Sequence, residues 1–290
     1  MPADTPAVIG ADNSIFSNVI AMMTPDARSR LDAMLTLSPT LQAMLREYVA
    51  ASNSDGGQYN KITLEPGKLY FKPPVGGAKG KLVLDSHDVG NPEAVVSALA
   101  HELGHFMDVG RYVGLENAAA SNSDTLAYMQ ACLSTEGQAI YTGFKVSQEI
   151  KASSGDFMGD GAIDIGVRNI AYDRAAIIIL SAETYVKAQP SYLQESDPAV
   201  RDALVKAAAI NALAFSNESN TPSGSAPGET YLSTCLQQAV QQVRDGTSRM
   251  LWPGATIEDP MTGGGGNDFT LRGATLRSPI LSFERTDPGS

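Results

Sequence analysis

A chain of 290 residues is long enough to bury a sizeable core, as one large domain or two small ones, and 43% hydrophobic with 18% charged residues is ordinary for a soluble globular protein. A net charge of −11 argues against nucleic acid or an anionic membrane surface as the main partner. No stretch reaches the roughly 18 apolar residues of a membrane span, since the run at 177–180 is short and flanked by Arg174 and Glu183.

Residues 1–23 lack the basic start, apolar run and small-residue cleavage site of a secretory signal. The expectation is a protein that is cytoplasmic in its producer, exported by a signal-independent route, or already in its mature form. Ser14 is a candidate cap for a segment through Met23. Thr24-Pro25 and Ser38-Pro39 each join an N-cap residue to proline at the first helical position, predicting helices over 26–35 and 40–51. Leu31, Met34 and Leu35, then Leu41, Leu45, Tyr48 and Val49, supply helix-period apolar faces. After a turn cluster at 53–57, three short runs at 61–64, 68–72 and 81–85 predict a small antiparallel sheet.

Asn91 and Pro92 then open a helix whose buried side carries Val95, Val96, Leu99, Leu103, Phe106 and Met107, with Gly110 suited to its end. A long amphipathic pattern at 123–151 follows, carrying Leu126, Met129, Leu133, Ile140, Phe144 and Val146 and weakened by Gly137 and Gly143. More helix is predicted over 167–188, over 198–216 behind an Asp197 cap, and over 229–245, with a loop at 217–228. The tail beyond Trp252 lacks periodicity. The pattern reads as a mostly helical α+β protein: an N-terminal helical segment at 1–55, a main domain at 56–250 and a glycine-rich tail at 251–290, without an internal repeat. Cys132 and Cys235 are the only cysteines. Two buried free thiols are the blander reading and a disulfide pair the other, and the sequence does not decide between them; neither belongs to a C-x-x-C pair that would hold zinc.

The chemistry concentrates in His101-Glu102-Leu103-Gly104-His105, near the expected end of the fourth helix. Four residues is just over one helical turn, so both imidazoles project from one face and can hold one Zn²⁺. Glu102 then stands beside water on that metal as a general base. A catalytic zinc wants a third protein ligand. His87 sits at a strand end and reads as surface loop. Arg111 stands where one metallopeptidase pattern has a further histidine, and Asp108 stands where it has a glycine. Glu136, on the following helix, is the better candidate, with Gly137 beside it permitting close helix approach. Glu116, Glu149 and Glu183 are its rivals.

At these residues the chain resembles the gluzincin branch of zinc metallopeptidases, from about Lys68 to Ile150. In that family the H-E-x-x-H helix is followed by a helix supplying a glutamate ligand, often as Glu-small-x-Ala, and Glu136-Gly137-Gln138-Ala139 fits. The resemblance implies a zincin-like metallopeptidase domain with His101, His105 and Glu136 as ligands of one zinc per chain and Glu102 as base. It also implies that strand 81–85 is an edge that pairs with an extended protein or peptide substrate. Tyr141 is a candidate donor to the developing oxyanion, with Tyr172, Arg174 and Tyr128 as rivals, and Asp108 or Asp124 could orient a ligand imidazole.

Helical toxin domains with the same five-residue core are similar too. They imply a bacterial secreted effector or polymorphic toxin, partnered by a secretion adaptor or an immunity or inhibitor protein. Competing expectations are a non-catalytic zinc- or adaptor-binding protein and an amidase of cell-wall peptides. A second cation motif, with acids at Asp156, Asp160 and Asp164, lacks calcium ligands at Met158 and Val167 and reads as a turn.

Overall fold

The computed structural model describes residues 8–53, 57–74, 76–121, 125–155, 163–217 and 229–244. They form a mostly helical α+β structure with one small sheet. Two compact units are distinguishable, Met1–Asp108 with Ala139–Ile177, and Val109–Gln138 with Ile178–Ser290.

In the first unit, Asn13 caps a 3-10 turn at Ser14–Phe16 that leads into the short helix α1 (Ser17–Ile20). Helix α2 (Pro25–Leu37) starts where Thr24 Oγ1 accepts the Ala27 amide, and α3 (Pro39–Asn53) starts where Ser38 Oγ accepts the Leu41 amide at 3.0 Å. Both caps are those the sequence predicts. The Ser38 and Thr40 hydroxyls also donate to Glu149, at 2.5 and 2.6 Å, and the Thr40 amide donates to it at 3.0 Å. A carboxylate at a helix N-terminus complements the helix dipole as well as the free amides.

Strands β1 (Thr63–Glu65), β2 (Tyr70–Lys72) and β3 (Lys81–Asp85) form a sheet in the order β1-β3-β2. The sheet is mixed, not antiparallel throughout: β3 is parallel to β1 (Thr63↔Val83) and antiparallel to β2 (Tyr70↔Val83). Burial explains the order. Leu82, Val83 and Leu84 are consecutive and almost fully buried, so β3 is covered on both faces and takes the centre. The half-buried three-residue strands flank it. The expectation of an edge strand at 81–85 is therefore wrong, because β3 spends its main-chain groups on two neighbours.

Asn91 Oδ1 accepts the Ala94 amide at 3.2 Å, and α4 (Pro92–Ser121) begins as predicted. It does not stop at Gly110. A mid-helix glycine costs only about 1 kcal/mol, so α4 runs on through it and the histidine motif lies in its interior, not its last turns. Helix α5 (Thr125–Ser154) likewise runs through Gly137 and Gly143. The core joins Leu31, Leu35, Leu41 and Leu45 to Val96, Leu99 and Leu103 of α4 and Val146 and Ile150 of α5. Tyr48, Tyr59, Phe71 and Phe106 add a ring cluster with centroids 5.1–6.1 Å apart.

α6 (Tyr172–Lys187) is followed by α7 (Pro190–Gln194), a short helix the sequence pattern does not predict, and by α8 (Pro198–Asn217), where Asp197 Oδ1 accepts the Ala199 amide at 2.8 Å. In the second unit α9 (Tyr231–Arg244) is tied to α5 by a disulfide between Cys132 and Cys235. That settles the pairing the sequence left open: both are buried, and the fold brings their Cα atoms to 5.9 Å across a sequence separation of 103. Around the bond lies a small cluster of Cys132, Leu133, Ala214 and Cys235, with Phe215, Tyr231 and Leu232 packed against it. No helix among the described residues is long and apolar enough to cross a membrane. The tail at 251–290 lies outside the described residues.

Candidate metal centre

The motif lands on the buried side of α4. Leu99, Ala100 and Leu103 are sealed in the core, and the same stripe carries His101 and Glu102 inward, each only 3% exposed. Ionisable side chains at that depth are uncommon unless they are paired or ligate a metal. His105, one turn on, is half-buried, and the two imidazole centroids lie 5.0 Å apart with planes at 86°.

Glycine then determines how near the next helix comes. A Cβ on Gly104 would stand 2.9 Å from Ala139 Cα and 3.2 Å from Thr142 Cβ, so only glycine lets the α4 and α5 backbones approach this closely. Glu136 sits on the same uninterrupted α5, one turn before Ala139. Gly137 makes a second such approach, since a Cβ there would collide with the Ile210 carbonyl and would lie 2.8 Å from Ala214 Cβ.

His101, His105 and Glu136 are brought together, each offering one ligand atom with all three within 4.8 Å of one another. Three atoms so spaced lie within about 2.8 Å of a common centre, against about 2.0–2.2 Å for zinc to nitrogen or carboxylate oxygen. Small side-chain adjustments close that difference, so the residues fit a divalent ion. Two imidazoles and one carboxylate suit zinc, and other first-row ions as well.

The competing residues are placed elsewhere. His87 is on a 3-10 turn (Ser86–Asp88), its side chain 72% exposed, with Nδ1 3.0 Å from Asp85. Glu149 is occupied at the start of α3, and Glu183 pairs with Lys187 at 3.2 Å. The Glu116 side chain and Asp124 lie outside the described residues, as do Asp156 and Asp160 of the calcium-like loop. Asp164 is 3.8 Å from Lys151 Nζ. Asp108 is half-buried on α4.

Of the candidate oxyanion donors, Tyr141 is half-buried on α5, just over one turn past Glu136. Tyr128 is buried, Arg174 is exposed, and Tyr172 is stacked on Phe144 with centroids 5.0 Å apart. Sequence reasoning missed Gly104 as part of this region and left the Cys132–Cys235 pairing undecided. The small residue between the two candidate-ligand histidines was the signal available for the first, and two cysteines alone did not say whether they pair. Compared with protein-family models, curated proteins and solved structures, the chain matches none.

Proposed function

We propose that this protein is a zinc-dependent peptidase in which His101, His105 and Glu136 hold the ion and Glu102 moves the proton. The supporting observation is the convergence of Glu136 on the two imidazoles, on a helix that local sequence pattern does not aim at them, with Glu102 buried between the histidines. Zinc with such donors lowers the pKa of coordinated water towards about 7 and polarises a carbonyl.

Glu102 supplies the matching proton chemistry. As a carboxylate it accepts a proton from the attacking water, and it returns that proton to the amine nitrogen as the peptide bond breaks. Burial excludes bulk water from this exchange and strengthens its electrostatics. Tyr141 is the residue we assign to the charge developing on the carbonyl oxygen. A binding protein that used the metal only as scaffold would have no need of a carboxylate at position 102.

The substrates we propose are proteins or peptides, those of the cell wall included, and the setting is an exported effector or toxin. Its disulfide supports that setting, because such bonds persist in oxidising compartments.

Glu102→Gln tests the assignment with quenched-fluorescent casein as substrate. The variant keeps about one zinc per chain and loses roughly 10²–10⁴-fold in turnover. His101→Ala and Glu136→Ala lose the metal as well. Casein cleavage at the wild-type rate by Glu102→Gln overturns the base, and normal zinc content in Glu136→Ala overturns the third ligand.

A further inference from the structure

Charge is not spread evenly along this chain. Residues 57–84 carry five lysines (Lys61, Lys68, Lys72, Lys79 and Lys81) against one acid, Glu65, in a protein whose net charge is −11. The sheet then gathers the lysines at one end. Lys72 of β2 is paired in register with Lys81 of β3, so the two side chains leave neighbouring strands on the same face. β1 flanks β3 on the other side in parallel register, with Thr63 opposite Val83. Lys61 lies two residues before Thr63 and is exposed, while Ile62 between them is sealed in the core. Alternation therefore carries Lys61 to the same side as Thr63 and Lys81. Lys79 repeats the pattern: it is exposed, and Gly80 beside it is pressed on Tyr59, where a Cβ would stand 2.5 Å from the ring. A strand spacing of about 4.8 Å sets Lys61, Lys81 and Lys72 side by side.

Such an arrangement is unfavourable by itself, because like charges directly opposite each other destabilise a sheet. Glu65 relieves part of it. Its carboxylate accepts from Lys81 and from Lys68, each at 3.0 Å, and from the Tyr70 hydroxyl at 3.2 Å. One negative charge is thus shared by two ammonium groups and a phenol. Among the described residues Lys61, Lys72 and Lys79 form no ion pair, so the positive charge of the row is only partly answered within the chain.

We propose that this lysine row is a docking surface for a short acidic segment of a partner protein. Lysine offers a point charge on a flexible stem, without the fixed fork by which arginine grips one anion, so the row suits a run of Asp and Glu side chains of uneven spacing. Its size selects against a longer polyanion. Two strand spacings make it only about 10 Å wide, close to the Debye length of about 8 Å at physiological salt. An acidic segment of that width meets the lysines alone. A nucleic acid or an anionic bilayer extends past them and meets the negative charge of the rest of the chain. The contact runs through side chains and needs no open strand edge. It goes beyond the peptidase reading and does not depend on it, since every residue involved belongs to the sheet and its approaches.

The test uses the full chain and fluorescein-labelled hexaglutamate, with binding read by fluorescence anisotropy at about 50 mM salt, where screening is weak. Hexaglutamine with the same label is the control, and circular dichroism checks that each variant folds. The expected result is saturable binding of hexaglutamate and none of hexaglutamine. Lys61→Gln/Lys72→Gln/Lys79→Gln binds about 10- to 100-fold more weakly, and Glu65→Gln, which releases Lys68 and Lys81, binds about 2- to 5-fold more tightly. Lys145→Gln/Lys187→Gln/Lys206→Gln removes the same charge from exposed helical positions and leaves the affinity unchanged. No binding by wild type overturns the proposal, as does equal weakening in both triple variants or unchanged affinity in Glu65→Gln. Tighter binding of labelled hexathymidylate than of hexaglutamate overturns the choice of partner. Zinc enters none of these measurements, so failure here leaves the metal reading standing.

Discussion

The two imidazoles and the carboxylate of the candidate centre are held by unlike means. His101 and His105 ride on α4 among Val95, Val96, Leu99, Ala100 and Leu103, all at most 1% exposed, inside the large core that also takes in α2, α3 and the sheet. Glu136 rides on a stretch of α5 beside a cluster that includes, among the described residues, Leu133, Ala214 and the two cysteines, with a glycine pressed on Ile210 and Ala214 and a disulfide. Burial of apolar area, at about 25 cal/mol per Å², fixes the first region. Packing and chain closure together hold the second. A loop of roughly 100 residues closed by a disulfide is worth up to about 4.7 kcal/mol in the chain-entropy account, a contribution that adds to the packing around it.

The largest test of that contrast is Leu103→Ala. It removes a fully buried side chain from the core that holds the histidines and should cost about 2–5 kcal/mol, read from urea unfolding. Zinc affinity of the remaining folded protein should change little, since Glu136 is untouched. A loss of affinity larger than the loss of stability would erase the distinction between the two regions.

Gly137→Ala sharpens it from the other side. A methyl group driven against Ile210 and Ala214 should cost about 1–3 kcal/mol and should weaken zinc binding out of proportion, because it shifts the turn that carries Glu136. Wild-type zinc affinity in Gly137→Ala would show that this close approach does not position the ligand.

The smallest effect belongs to neither region. Salt bridges to Lys81 and Lys68 hold the Glu65 carboxyl well below its ordinary 4.5, at about 2. A lowered folded value stabilises the protein above pH 4.5 and ceases to do so as pH falls through about 2. Glu65→Gln should therefore melt slightly below wild type at neutral pH and match it near pH 2, with zinc affinity unaffected at neutral pH. A melting difference that is the same at both pH values would show that the pairing contributes nothing.

What could be read from the sequence is what short-range chemistry dictates. Thr24, Ser38, Asn91 and Asp197 cap their helices by side-chain contacts two or three residues away, and their positions follow from residue type. The His-Glu-x-x-His spacing marked two candidate ligands for the same reason. Glu136 was legible only as a carboxylate beside a small residue on the next amphipathic run.

The rest depended on distant parts of the chain. The place of β3 between two neighbours is decided by which strand buries most, which alternation in one strand does not reveal. The extension of α4 past Gly110 reflects a helix that still has Tyr112 to bury, which outweighs the glycine penalty. The pairing of Cys132 with Cys235 joins residues 103 apart, a distance over which composition carries no signal.

The order of the three strands also limits how a peptide could be recognised. With β3 bonded on both flanks, the outer edges of the sheet among the described residues are β1 and β2, and Asn18 donates to the Ile62 carbonyl just before β1 at 3.0 Å. Each is three residues long and ends in a charged residue, Glu65 or Lys72, too short and too charged to template a guest strand or a second copy of the chain. Selectivity of the proposed peptidase for a scissile bond must then come from side-chain pockets, so it should discriminate among residue types more than it discriminates extended from folded backbone.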